Sequence, residues 1–444
     1  MEAKPVILSR KTIKPSSPTP PHLKYYQRSF LDQLSVNTYV PVIMFYSASD
    51  VTSHSTSISS LSEKLKSSLS DVLTLYYPLC GRLKGNDIIE CNDAGVLYTE
   101  AKVPISLNEI LQNPQNKVLQ QFLPFDQYEP GKECYINNEE EPVMLGVQVN
   151  ELNCGALAIG LTISHAIVDG ITFASFLKAW VSIANGNIDK VTKPIMDAYK
   201  VFPPTKFKFS IPLKRGDEET IVGTRLVFDE ESLCRLKAEF HGFNPTRVEA
   251  LTALIWKSFM EMAKSSVSDD EQKVVGSFIS LAVNIRRYLE PPLPEHCIGN
   301  IHHGAITSIV DLKLAQEIPL KDLALMIKDA IRRVVDNDVK ELVDGEGGFD
   351  MAVNTIKNIM SLLSMGNKWF VFTSWTGFNL YEADFGWGKP TWVCTFNTTI
   401  KNTVIFLPSK SGKGIEAMIT LTGEDTEKFE CLPEILQYAR VSRL

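Results

Sequence analysis

Apolar and polar positions along this chain repeat with two different periods, and the switches between them mark its elements. Leu61, Leu65, Leu69, Val72 and Leu73 recur at helical spacing, and Pro78 and Gly81 in YYPLCGRL stop that helix. ALAIGLTIS (156–164) is apolar and partly β-branched, which predicts a buried strand. Directly after it, Ile171, Phe173, Ala174, Leu177 and Trp180 return to the helical period. SHAIVDG (164–170) therefore lies at a strand-to-helix junction. SPTPP (17–21) predicts a stiff, extended lead-in.

Residues 198–220 change character, being rich in Pro and Lys and then sharply charged. They are expected to be a crossover between two domains, 1–197 and 221–444. Beyond it, Asn244 and Pro245 suit a helix cap and first helical position, followed by a face of Val248, Leu251, Ile255, Phe259 and Met262. VVGSFISLAVNI (274–285) and KWFVFTSW (368–375) predict strands. EPPLPEHCIGN (290–300) predicts a loop, GEGG (345–348) a flexible loop, and YEADFGWGKP (381–390) a glycine-interrupted turn. The fold class that follows is mixed α/β in both halves.

Charge and composition narrow the function. The net charge is −7 over 444 residues with no basic stripe, which argues against nucleic acid or an anionic membrane as partner. No apolar run is long enough to span a bilayer, and the first residues lack the apolar core of a secretory signal. Eight scattered cysteines without a C-x-x-C pair suggest free thiols in a reducing compartment. A cytoplasmic location is expected. The alternative is peroxisomal, because Ser442, Arg443 and Leu444 are a conservative variant of the S-K-L address.

Most catalytic signatures are absent. There is no G-x-S-x-G, no Walker A loop, no G-x-G-x-x-G after a strand and no H-E-x-x-H. His296, Cys297, His302 and His303 lie close together but fit no standard zinc spacing, so no metal is expected. His165 and Asp169 allow two readings. Asp169 before Gly170 and an apolar run is a good helix cap, and a histidine at a strand end can be a plain turn residue. A neutral imidazole at the same place is also a competent general base, and the small or apolar Ala166, Ile167 and Val168 suit a partly dry site.

A second constellation bears on the choice. H-x-x-x-D (His165, Asp169) together with D-F-G-W-G (Asp384, Phe385, Gly386, Trp387, Gly388) resembles the marks of the plant acyl-coenzyme A-dependent acyltransferases called the BAHD family. The resemblance extends over nearly the whole chain through SSPTP, LDQL (31–34), LSDVLTLYYPLCGRL (69–83), PPLP with Gly299-Asn300, and FTSW (372–375). It is strongest to the vinorine synthase and alkaloid acetyltransferase branch.

The resemblance implies two similar-sized domains like those of chloramphenicol acetyltransferase, with a solvent channel between them. The first (1–197) carries H-x-x-x-D and the second (221–444) carries D-F-G-W-G. His165 is implied as the general base in a ternary complex of acyl-CoA and acceptor, without an acyl-enzyme, and Asp169 as the residue that shapes its loop. Thr373 and Trp375 match oxyanion donors of hydroxycinnamoyl-transferring relatives, although Trp375 can equally be a core aromatic. Asp384, Gly386, Trp387 and Gly388 are implied as structural, with Arg286 in NIRRY (284–288) as the partner of Asp384. That stretch departs from the NLRSR of the close branch. Thr246 and Arg247 match a region that meets the nucleotide end of coenzyme A.

Where shikimate-using relatives have an Arg that grips a carboxylate, this chain has Gly377. Where they have polar residues on an early strand, it has Val40, Val42 and Met44. These departures imply a hydrophobic acceptor such as an alkaloid or terpenoid, acylated on a hydroxyl or an amine. The implied co-substrate is acyl-CoA, acetyl-CoA in this branch, with no permanently bound cofactor and a monomeric state. A ligand-binding relative or one that performs an elimination stays open as an alternative.

Overall fold

The computed structural model describes residues 4–35, 38–54, 58–124, 142–206, 221–264, 275–395 and 400–444. The chain forms two compact α/β units. The first takes Met1–Ile211, Leu293–Ile301 and Phe378–Phe396, and the second takes Pro212–Pro292, His302–Gly377 and Asn397–Leu444.

The first unit is built on a six-stranded sheet in the order Val6–Ile13, Val96–Val103, Leu145–Leu152, Leu157–Ser164, Tyr39–Tyr46 and Trp392–Cys394. Its central members are buried on both faces, as expected of strands covered on both sides. Two amphipathic helices, Ile58–Leu75 and Gly170–Ala184, pack on each other. The Trp180 indole donates to Ser68 Oγ at 3.0 Å, and the Tyr76 and Phe176 rings meet edge to face at 5.3 Å. Leu65, Leu69, Val72 and Leu73 of the first helix are fully buried, each contributing roughly 1.5–3 kcal/mol of transfer free energy. The same unit holds a small sheet in the order Tyr25–Gln27, Ile88–Glu90 and Arg82–Lys84.

The second unit holds an eight-stranded sheet. Its order is His302–Ile306, Gly276–Asn284, Lys368–Ser374, Thr403–Pro408, Ile415–Thr422, Ile221–Phe228 and Arg440–Arg443, with Val310–Asp311 paired to the second of these. The helix Arg247–Lys264 covers it, stacking Phe259 on Phe370 at 4.4 Å and donating from the Trp256 indole to Ser277 Oγ at 2.9 Å. Ser442 and Arg443 are strand residues here, and the Leu444 amide donates to the Gly223 carbonyl at 2.8 Å. Among the described residues no helix is long and apolar enough to cross a membrane. The described cysteines form no disulfide, and Cys134 lies outside the described residues.

The structure departs from the sequence expectations in four places. D-F-G-W-G belongs to the first unit, not to 221–444, because Trp392–Cys394 pairs antiparallel with Tyr39–Tyr46 and carries the preceding turn with it. The start of the expected 198–220 crossover is also part of that unit. Ala198–Val201 is helical, Phe202 packs its ring edge-on to Phe30 at 5.7 Å, and Thr205 donates to Gln33 Oε1 at 2.9 Å. Residues 207–220 lie outside the described residues.

The cap of the Arg247–Lys264 helix is Thr246 rather than Asn244. Thr246 Oγ1 accepts from the Glu249 amide at 3.1 Å and Glu249 Oε2 accepts from the Thr246 amide at 2.7 Å, a T-x-x-E capping box. GEGG is not a flexible loop, since Glu346–Ser364 is one helix. The apolar period through Phe349, Ala352 and Val353 outweighs the helix penalty of two glycines, about 1 kcal/mol each.

Candidate active site

The strand Leu157–Ser164 delivers His165. Ser164 donates its amide to Met144 and His165 donates its own to the Thr38 carbonyl, at 2.8 Å in each case, so the chain stays paired up to the imidazole. Ala166, Ile167 and Val168 then turn inward and are buried, leaving His165 half-buried at the surface of the turn. Burial of three consecutive apolar side chains anchors a loop that its backbone alone would leave mobile.

Asp169 ends the turn and starts the Gly170–Ala184 helix. Its Oδ1 accepts from the Thr172 amide at 2.8 Å, the bond of an N-cap, and its Oδ2 accepts from the Ile301 amide at 3.1 Å. Both carboxylate oxygens thus hold main-chain N–H groups, which makes Asp169 a clasp between the helix start and the segment Leu293–Ile301. Thr172 adds to the clasp by donating from Oγ1 to the Gly299 carbonyl at 3.2 Å and accepting from the Gly299 amide at 3.3 Å. Gly299 sits at φ +140°, where an L side chain is strained, and an added Cβ would stand 3.2 Å from that of Ala198.

A buried polar network holds the His165–Ala166 main chain from the other side. Asn300 Nδ2 donates to the His165 carbonyl at 2.8 Å and to Asp32 Oδ1 at 3.0 Å, while its amide donates to the same Oδ1 at 2.7 Å. Two acceptors on one nitrogen fix which way this carboxamide points. Asp32 Oδ2 accepts from Ser29 N and Oγ at 3.0 and 2.8 Å. Burial raises the pKa of Asp32, opposed by the Arg28 guanidinium and by those hydrogen bonds. Arg28 is itself fully buried. It donates from Nε to the Ala166 carbonyl at 3.1 Å, from Nη1 to Asn86, and from Nη2 to the Asp32 carbonyl. Ser35 completes the surroundings, with Oγ 3.2 Å from His165 Nδ1 and 3.3 Å from the His165 carbonyl oxygen.

The other expected site residues take different places. Val42 and Met44 have no accessible surface, and Met44 Sδ accepts from the Tyr46 hydroxyl at 3.8 Å. Val40 is half-buried. Asp384 holds its own turn, accepting on Oδ1 from the Gly386 and Gly388 amides at 2.7 and 2.9 Å. Both glycines have φ above +100°. Phe385 and Trp387 are fully buried and stack at 5.5 Å, Trp180 meets Phe385 at 4.9 Å, and Lys64 lies 5.9 Å over the Trp387 ring. Asn185, the C-cap of the Gly170–Ala184 helix, donates to the Asp384 carbonyl at 2.6 Å.

In the second unit, Arg286 is buried and donates to Asn284 Oδ1 at 3.3 Å. Arg247 donates to the carbonyls of Gly412 and Lys413, at 3.1 and 2.7 Å, and Thr246 is engaged in the capping box. Thr373 pairs with Ile405 on the neighbouring parallel strand and is half-buried. The Trp375 amide donates to the Phe406 carbonyl at 2.7 Å, its side chain is buried, and Gly377 is exposed. Among the described residues no three His, Cys, Asp or Glu side chains gather as a metal site.

Arg28, Ser35, Asp32 and Asn300 are the residues around His165 to which sequence reasoning gave no role. LDQL and Gly299-Asn300 stood out as family landmarks. Nothing in a single sequence brings residues 28–35 and 300 to residue 165.

The first unit thus holds a half-buried histidine at the end of a buried strand, with its main chain fixed by a buried polar network. The comparisons give the class of protein. The Transferase family model matches residues 4–436. Limonoid 1-O-acetyltransferase of Citrus sinensis is 35% identical, over 98% of both chains. Stemmadenine O-acetyltransferase of Catharanthus roseus is 34% identical, over 94% of both. The crystal structure of vinorine synthase superposes with a TM-score of 0.84 at 31% identity, covering 98% of each chain. The F. sporotrichioides TRI101 structure, complexed with coenzyme A and T-2, shares the fold at a TM-score of 0.70 and 14% identity, covering 94% of this chain and 99% of that chain. The chain belongs to this transferase family, the BAHD acyltransferases, and is an acyl-CoA-dependent acyltransferase.

Proposed function

We propose that this enzyme acetylates a hydroxyl group of a hydrophobic alkaloid or terpenoid, with acetyl-CoA as donor and His165 as general base. His165 Nε2 takes the proton of the acceptor hydroxyl, and the freed oxygen attacks the thioester carbonyl. The tetrahedral intermediate collapses with loss of the coenzyme A thiolate, and the imidazolium returns the proton to that sulfur. Each bond made is matched by one broken, and the histidine ends as it began. A positioned base of this kind contributes on the order of 10²–10⁴ in rate.

What carries the reading is the immobilised His165, whose amide, carbonyl and ring nitrogen are each held by a named partner. The acetyl group and the acceptor class rest on likeness to the limonoid and stemmadenine O-acetyltransferases, which span nearly the whole chain. Gly377, with no side chain, offers no cation to grip an acceptor carboxylate, which favours neutral or amine-bearing acceptors.

The test incubates purified protein and its His165→Ala variant with acetyl-CoA and a panel of alkaloid and terpenoid alcohols, with products read by mass spectrometry. Wild type yields acetate esters, and the variant forms them about 10²–10⁴-fold more slowly at unchanged fold. Equal rates in the two proteins refute the base assignment. Esters formed only from longer or aromatic acyl-CoA refute the acetyl assignment and leave His165 standing.

A further inference from the structure

We infer that Ser35 sets the tautomer of His165: its hydroxyl donates to the His165 carbonyl and accepts from Nδ1–H, which leaves the Nε2 lone pair for the acceptor proton. The inference deepens the base assignment above and rests on it.

The argument is one of counting protons. Ser35 Oγ lies 3.2 Å from Nδ1 and 3.3 Å from the carbonyl oxygen of the same histidine. A hydroxyl carries one hydrogen and two lone pairs. The carbonyl oxygen can only accept, so that contact takes the hydroxyl hydrogen. The second contact is then a hydrogen bond only if the ring nitrogen is the donor. Nδ1 is protonated in that arrangement and Nε2 is not, which is the neutral form a general base requires. The opposite tautomer would turn Nδ1 into an acceptor and pull the hydroxyl hydrogen off the carbonyl. Asn300 does not displace Ser35, because a carbonyl oxygen has two lone pairs and takes both donors.

The arrangement also suits the next state. Once the ring has taken the acceptor proton, both nitrogens are donors, and Nδ1–H still finds the Oγ lone pair. Ser35 therefore faces the imidazolium with an acceptor without having to move.

Its own position is fixed by the same machinery that holds the loop. Ser35 follows the short helix Phe30–Leu34, with φ −70° and ψ 149°, and its amide donates to the Asp32 carbonyl at 3.2 Å. Asp32 on that helix grips Asn300, and Asn300 grips the His165 carbonyl. The same short stretch thus presents Asp32 to Asn300, which holds the main chain of the histidine, and Ser35 to its ring. Ser35 is a positioning residue, acting on substrate only through His165.

The test compares wild type with Ser35→Ala, Ser35→Thr and His165→Gln, using two readouts. In steady-state kinetics with acetyl-CoA, Ser35→Ala is expected to lose about 10–100-fold in kcat, the size of loss that follows removal of a partner orienting a metal-ligating histidine. KM for acetyl-CoA should stay within about twofold, since no binding contact is touched. Ser35→Thr, which keeps the hydroxyl, should recover most of the loss. Thermal unfolding checks that Ser35→Ala stays folded.

The second readout is ¹⁵N NMR of histidine-labelled protein, with the His165 signals assigned by their absence in His165→Gln. Wild type is expected to show Nδ1–H with unprotonated Nε2, and Ser35→Ala a mixture of tautomers. A wild-type ring protonated on Nε2 overturns the inference, and so does Ser35→Ala with unchanged kcat. A KM-only effect overturns it as well. Full activity in His165→Gln defeats the base assignment itself, and with it the catalytic use of Ser35, while the tautomer signal still reports separately on the contact.

Discussion

Replacing Asp169 by Asn separates loop shape from chemistry with a single atom. In the wild type, Oδ1 receives the Thr172 amide at 2.8 Å and Oδ2 the Ile301 amide at 3.1 Å, at a residue only 5% exposed. Asn caps helices about as well as Asp, so one oxygen can keep the Thr172 bond. The new NH₂ group then faces the Ile301 N–H, donor against donor. Flipping the carboxamide moves the conflict to Thr172 without removing it. One buried amide loses this acceptor either way, at a cost of about 1–3 kcal/mol. Asp169→Ala loses the cap as well, adding about 1 kcal/mol.

For a unit of this size 1 kcal/mol is worth about 2–4 °C in Tm, so Asn is expected to lower the first unfolding transition by roughly 2–12 °C, and Ala by roughly 4–16 °C. The assay is thermal unfolding followed by circular dichroism at one scan rate, with kcat measured well below both transitions. Ile301 adjoins Asn300, which holds the His165 carbonyl, so kcat should fall in both variants, but by less than in His165→Ala. Unchanged Tm in both variants would sink the clasp. Unchanged Tm with activity as low as in His165→Ala would show that the carboxylate serves the chemistry directly.

Two further perturbations test the frame around the site. Asp384→Ala strips the acceptor from the Gly386 and Gly388 amides and should cost about 1–3 kcal/mol in denaturant unfolding, with kcat per folded molecule changed only a few-fold; an undiminished midpoint contradicts the turn's assigned role. His303 is buried at 7% exposure, and desolvation lowers its pKa from the ordinary 6.5 to about 4, although Asp338 lies 3.8 Å away. A folded-state pKa below the unfolded one means stability is fully present above pH 6.5 and is lost as pH falls toward 4, by at most about 3 kcal/mol. Urea unfolding of wild type and His303→Leu between pH 7.5 and 4.5 should show the extra slope only in wild type; parallel pH dependences refute it.

Much of the frame was legible because it depends on local period. The helix expected from Leu61 to Leu73 is Ile58–Leu75, the strand 156–164 is Leu157–Ser164, and SHAIVDG falls at the junction of that strand with the Gly170–Ala184 helix as the pattern requires. Errors came where two local signals competed. Asn244-Pro245 lost to the capping box of Thr246 and Glu249, and the glycines of 345–348 lost to the apolar face that follows them. The site was legible only in part. His165 announced itself by motif, but Ser35, 130 residues away, meets it through sheet pairing that no window of sequence contains. Alternation along Tyr39–Tyr46 tells which residues share a face, but only the fold tells that Val42 and Met44 on one face and Ile43 and Phe45 on the other are all buried.

The late return of residues 378–396 to the first sheet bears on how the protein is made and how it can be recombined. The hydrogen bond from the Tyr46 hydroxyl to the Ala383 carbonyl joins residues 337 apart in the chain. A ribosome adding about 5–20 residues per second needs on the order of half a minute to cross that gap, and until then the strand Tyr39–Tyr46 is an uncovered edge. A nascent chain in this state is a natural client for a holdase chaperone. Grafting between relatives meets the same constraint. A chimera cut once near residue 210 would join the first sheet of one parent to the closing strand of the other, whereas exchanging 293–301 and 378–396 together with the amino-terminal segment keeps each sheet of single parentage.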